Sequence, residues 1–302
     1  MHRGFTLLEL LISLSITLVI GAAVFQLFQQ NERVFHDQNL VTEMQQGARA
    51  AIHQAADEIR MAGQGVPVYS ESFGETPTEE SVSILSGSNA TRIHFRAGLA
   101  PTATYVIAPK PVVFSLGTPV TVVVDDATGL YDAVGGTPVG RFVYFWGAAE
   151  LDRWNWARAS IRSITPSTGR VDVTVAATGP IGIAGVAAVF PASPSMALEE
   201  AIALYFDSSS NSMRRTTATS MIDPIRPTWA PANELVASVT QLRFDYFDAA
   251  GASITPDSLA NRARVVCVDI RLVVRTAQEL RNRSRPEFAI SVRTNIRNAR
   301  MH

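Results

Sequence analysis

Cysteine is almost absent. Cys267 stands alone, so no intrachain disulfide can close, and an exported chain of this length must rely on its core instead. Its surroundings, Arg264-Val-Val-Cys-Val-Asp-Ile, are strand-like and read Cys267 as a small buried apolar residue; a reactive or pairing thiol is the alternative. Excess charge of either sign is missing too. The net charge is −1 and the pI about 6.5, so nothing global selects nucleic acid or an anionic surface. His2, His36, His53, His94 and His302 are scattered, and none has a metal-ligand spacing with another His or Cys. A phosphate-cradling Gly loop, a Ser nucleophile elbow and an HExxH pair are all lacking. The expectation is a non-enzymatic chain without cofactor. Apolar residues are plentiful, at 47% against 18% charged, which suits one large domain or two small ones around a real core.

The densest apolar stretch lies at the start. After Met1-His2-Arg3-Gly4 the chain runs from Phe5 to Phe28, and Glu9 is the only charge on the way. As a helix this run is about 36 Å long, enough for a bilayer core of about 30 Å. Ser13, Ser15, Thr17 and Gly21 are tolerated in a membrane helix. An ordinary secretory signal has a longer basic region and a small-residue cleavage site after its apolar stretch. An uncleaved signal anchor fits better, apart from Glu9. A carboxylate so deep in an apolar helix costs a few kcal/mol on insertion scales and calls for a partner from outside the segment.

Gly4-Phe5-Thr6-Leu7-Leu8-Glu9 resembles the prepilin peptidase site of type IV pilins and type II secretion pseudopilins. The resemblance implies that a membrane peptidase cuts after Gly4, that the new N-terminal Phe5 is N-methylated, and that Glu9 pairs with the Phe5 amine of a neighbouring subunit during filament assembly. The implied partners are the prepilin peptidase, other minor pilins, the major pilin and the inner-membrane assembly platform. A glycine before the cut lets extended backbone enter the peptidase without a side chain.

Beyond the apolar run, Val41, Met44, Ala48, Ala51, Ile52, Ala55 and Ile59 recur at three- and four-residue steps, with Glu43, Gln45, Gln46, Arg49, Gln54, Asp57 and Arg60 on the other face. The pattern stops at Gly63 and Gly65. One helix of about 55 residues is expected, without Pro, with Gly21 and Gly47 as possible bend points. Its first half (5–30) lies in membrane or filament core, and its second half (31–63) packs on a head.

Residues 66–81 are polar, with Pro67, Pro77, Glu71, Glu75, Glu79 and Glu80, and read as a loop. Strand-like runs follow to the C-terminus, among them Arg92–Phe95, Val120–Val124, Phe142–Trp146, Val171–Val175, Val239–Phe247, Val265–Val274 and Phe288–Thr294. The fold class expected is therefore α+β: a long N-terminal helix on an antiparallel β-sheet head (66–302), with a small β-module inserted at 110–195. The C-terminal pattern and Glu58-Ile-Arg-Met-Ala-Gly63 resemble minor pilins of the PilW kind and the J-type minor pseudopilin of type II secretion. This implies a structural component that initiates or caps a pilus, or alternatively a secretion pseudopilin. A third reading is a membrane-anchored ligand-binding module. The implied location is the inner membrane, head in the periplasm, before assembly, and a pilus or pseudopilus after it.

Three further clusters have two readings each. Asp125, Asp126 and Asp132 mark a turn or a calcium site without EF-hand spacing. Trp146, Trp154 and Trp156 are packing residues or an exposed ligand face. Arg281, Arg283, Arg285, Arg293, Arg297 and Arg300 are a solvated basic end or a phosphate contact to DNA.

Overall fold

In the computed structural model, helix α1 runs unbroken over Leu7–Arg60, 54 residues, as a proline-free stretch rich in Leu, Ile, Val and Ala should. The structure describes residues 7–64, 77–98, 104–134, 136–150, 153–179, 187–281 and 283–296. Every residue of α1 from Leu7 to His36 is exposed. From Ala48 onward one face turns inward, burying Ala48, Ala51, Ile52, Ala55, Ala56 and Ile59. Four of these six are alanines, whose short side chains let the helix approach the strands beneath it closely. The helix unwinds at Met61–Gln64, where Gly63 takes a φ of 81° and donates its N–H to Arg96 O at 2.8 Å. That left-handed backbone favours glycine as the stop.

Seventeen strands, β1 to β17 in chain order, follow among the described residues. The first sheet has the order β1 (Arg92–Arg96), β10 (Ala201–Asp207), β11 (Ser212–Ser220), β12 (Thr228–Trp229), with β13 (Asn233–Val236) also pairing with β11. A second sheet has the order β15 (Ser253–Ile254), β14 (Val239–Phe247), β16 (Cys267–Arg275), β17 (Glu287–Asn295). The buried face of α1 shares one apolar core with both sheets, including Phe95, Leu204, Phe244, Ile270 and Leu272. Glu58 of α1 adds a half-buried ion pair to Arg215 of β11 at 2.8 Å. A single sheet was expected from these flanks. Two form instead, joined by isolated bonds such as Phe244 N–H to Ala90 O (2.8 Å) and Val239 N–H to Asn211 O (2.8 Å) rather than by a ladder.

Between β1 and β10 the chain builds a closed barrel, in the order β2 (Thr104–Ala108), β4 (Pro119–Val124), β7 (Arg170–Gly179), β6 (Arg153–Thr165), β5 (Phe142–Glu150), β9 (Ser195–Leu198) and back to β2. A two-stranded ribbon, β3 (Val112–Phe114) with β8 (Ala188–Phe190), packs into it, stacking Phe114 on Phe145 at 4.5 Å. The strands that admit and release the chain, β2 and β9, pair with each other. The closed unit therefore extends beyond 110–195 on both sides. Its core is separate from that under α1 and consists mainly of Val, Ala and Phe. The β6–β7 hairpin turns at Pro166–Thr168 with Gly169 at φ 64°. Between β4 and β5 the chain forms a short helix, α2 (Thr128–Val134).

Candidate assembly interface

Gly4 and Phe5 lie outside the described residues. Glu9 stands in the first turns of α1. The hydroxyls around it make the helix internally complete: Ser13 donates to Glu9 O, Ser15 to Leu11 O and Thr17 to Ser13 O, each at 2.8 Å. These bonds remove the cost of placing free hydroxyls in hydrocarbon. What α1 presents to its surroundings is then an apolar surface, with Leu7, Leu8, Leu10, Leu14, Leu18 and Phe28 each more than half exposed. A water-soluble fold does not leave such a surface open; it needs lipid or other helices. This is the one helix among the described residues long and apolar enough to cross a membrane.

Higher up, the apolar face from Ala48 to Ile59 is occupied by the chain's own sheets. The face left for another subunit carries Arg49, His53, Gln54, Asp57 and Arg60. Four of these are already engaged: Arg60 pairs with Asp57 at 3.0 Å, Arg49 lies over the Phe288 ring at 5.7 Å, and Gln54 donates to Glu58 at 3.1 Å. Contacts on this part of the helix are thus polar, whereas those on the first half are apolar.

The barrel is held to the first sheet by a buried ionic cluster. Arg96 ends β1, just before the chain leaves for the barrel, and Glu199 follows β9, just after it returns. The Glu199 carboxylate accepts from Arg96 Nε at 2.8 Å, from Arg158 of β6 at 2.8 Å and from Tyr144 Oη of β5 at 3.4 Å. Arg96 and Glu199 are fully buried and Arg158 nearly so. Arg96 also donates to Glu79 O (2.7 Å) and Val82 O (2.8 Å), Tyr144 to Glu80 O (2.6 Å), and Arg158 to Met221 O. The Arg158 guanidinium stacks 3.8 Å over Phe142. Burial pushes the Tyr144 phenol well above its ordinary range, so it remains a proton donor. Sequence reasoning missed this cluster. The available signals were charges abutting apolar runs, Arg96 before Ala-Gly-Leu-Ala and Glu199 between Met-Ala-Leu and Ala-Ile-Ala-Leu, where a charge that becomes buried needs a partner.

The other singled-out residues have local duties. Trp156 is buried 6.1 Å from Tyr144, with half-buried Trp146 packed against the pair. Its ring lies across Gly179, where an added Cβ would come within 1.8 Å. Trp146 and Trp156 thus pack the barrel; the Trp154 side chain lies outside the described residues. The Asp126 carboxylate accepts from the Thr128 N–H at 2.8 Å, and hydrogen bonds from Thr128 hold it below the usual carboxylate range. The Asp132 side chain lies outside the described residues. Among those described, no group of three metal-ligating side chains occurs. Cys267 is buried in β16, and Arg293 Nε donates to its Sγ at 3.3 Å while stacking 4.3 Å over Phe247. Arg293 also faces Asp269 at 3.5 Å, and Arg285 faces Glu279 at 3.7 Å, so part of the basic C-terminal end is locally neutralised. Arg297 and Arg300 are outside the described residues. His94 of β1 is buried against Trp229 at 4.8 Å, and burial brings its pKa down to about 4, keeping the ring neutral.

A long apolar helix continuous with an antiparallel β-rich head is the α+β architecture of pilins. Residues 1–25 match the model of the prokaryotic N-terminal methylation motif. The match supports a type IV pilin-like prepilin and indicates a pilin- or pseudopilin-like protein. Such a motif implies processing by a prepilin peptidase and assembly with pilus components, a structural role. No curated protein and no solved structure matches the chain.

Proposed function

We propose that this chain is a minor type IV pilin, a subunit that helps initiate or cap a filament. In this reading the peptidase cuts between Gly4 and Phe5, and the Phe5 amine is methylated. α1 then crosses the inner membrane with the head on the periplasmic side, and Glu9 meets the Phe5 amine of a neighbour once the helices stack. The observation that carries the minor role is the barrel over Thr104–Leu198, added to a head that already has two sheets on α1. Shaft subunits repeat at close spacing along a thin spine, and a head enlarged in this way crowds its neighbours unless it sits at an end. Its partners are then other minor pilins and, below them, the major pilin. Quantitative proteomics of sheared filaments, with immunogold labelling of the head, tests the reading. The expected result is a copy number far below that of the most abundant pilin, with label at filament ends. Label along the whole shaft at comparable copy number would contradict it.

A further inference from the structure

We infer that the outer edge of β17 is a docking strand that takes a β-strand from a different helix-anchored subunit; this rests on the filament reading above. β17 is the last strand of its sheet, and its nine residues pair with β16 without a bulge. The bonding parity follows from the strand's two ends. Ile296 N–H donates to Val266 O at 2.9 Å, and Thr276 N–H donates to Pro286 O at 3.2 Å. Even-numbered residues of β17 therefore bond to β16, and Glu287, Ala289, Ser291, Arg293 and Asn295 turn their backbone N–H and C=O outward. No partner for these outward groups appears among the described residues. Within the strand there is no proline, no lysine and no bulge, and its length is nine residues; Glu287 and Arg293 are the charges it carries.

The occupant follows from the direction of α1. The helix lies on the face of the sheet, with Thr294 Oγ1 of β17 donating to Ala56 O at 3.2 Å and Arg49 over Phe288. Antiparallel pairing of β17 with β17 of a second copy places a two-fold axis perpendicular to the sheet. That operation reverses the helix, so the two apolar anchors point in opposite directions and cannot share one membrane. Parallel self-pairing puts the two helices on opposite faces of the joined sheet. A second copy whose helix is to lie beside α1 must therefore offer another edge, and the described ones are poor. β15 and β12 have two residues each, β3 and β8 three and β13 four; the outer edge of β1 is taken by Leu85 N–H to His94 O and Arg96 N–H to Ser83 O, and β14 beyond β15 is capped by Ala90. A strand of matching length therefore comes from a different subunit whose helix runs alongside α1. Its chemistry is small residues opposite Ala289 and Ser291 and a base near Glu287, since Arg293 already faces Asp269.

Ser291→Pro tests the edge in the full-length chain. It removes an outward N–H that the ladder with β16 does not use, so the head keeps its own hydrogen bonds, whereas Ser291→Ala keeps the N–H. Incorporation of Ser291→Pro into sheared filaments should fall at least tenfold, with Ser291→Ala at the unmodified level and both variants equally resistant to limited proteolysis. A photo-crosslinking benzoylphenylalanine at position 291, in filaments, should yield an adduct with a strand of a different pilin-like subunit. Ser291→Pro incorporated like Ser291→Ala, or an adduct found only with a second copy or not at all in filaments that contain the chain, would overturn the docking edge and leave the filament reading standing. A chain absent from filaments altogether would overturn both.

Discussion

Glu199→Ala should destabilise the head by about 3–5 kcal/mol, the cost of removing one partner from a buried ion cluster. The substitution strands two buried guanidiniums at once, since Arg96 and Arg158 both turn to this carboxylate, and it takes an acceptor from Tyr144. Neither arginine is able to swing out to water: Arg96 is tied to the 79–82 segment and Arg158 is sandwiched between Phe142 and Met221 O. Urea or thermal unfolding of the detergent-solubilised chain reads the effect. Arg96→Met, Arg158→Met and Glu199→Leu combined should recover much of the loss, because apolar groups of similar volume need no partner. An unchanged midpoint for Glu199→Ala would show that the cluster does not hold the barrel to the sheet.

Glu9→Ala should insert and fold normally yet enter filaments at least tenfold less often. Removing a carboxylate from an apolar helix relieves an insertion cost of about 3 kcal/mol, so the membrane step becomes easier. What disappears is the attraction to a neighbour's N-terminal amine, which is strong in a low-dielectric setting. The head should be unaffected, because the sheets begin to bury α1 only at Ala48. Co-purification with sheared filaments measures the loss, and the amount in the membrane fraction controls for insertion. Normal incorporation would remove Glu9 from the assembly role.

The parts of this molecule legible in the sequence are those fixed by period and by single residues. The stripe from Ala48 to Ile59 is a local repeat, and Gly63 ends it at a backbone angle that suits glycine. The break in amphipathic pattern near Phe28 separates the exposed half of α1 from the packed half. The turns at Pro166–Gly169 and Asp248–Gly251 are local in the same way, since their glycines meet fixed dihedral demands. The division of the flanking strands into two sheets was not legible. It depends on which edges meet across the whole intervening barrel, Thr104–Leu198, and no local pattern encodes that. The Arg96–Glu199–Arg158 cluster was hidden for the same reason, its members lying 103 and 41 residues apart. Ala56, missed in the stripe, shows the limit of periodicity: a small residue beside the seam is buried by how close the sheet comes, not by its own hydrophobicity. Of the residues proposed for processing and assembly, Glu9 stands out because an ionisable group in an apolar run is costly. Gly4 and Phe5 are proposed through the motif as a whole.

If α1 becomes a processed assembly helix, the mature N-terminus carries the mark of it. Intact-mass and peptide-level mass spectrometry of the chain from membranes and sheared filaments should find one species, beginning at Phe5 and carrying one methyl group on its amine. A chain that still begins at Met1 in filaments, or one cut beyond Ala22 so that the apolar run is lost, would contradict the account.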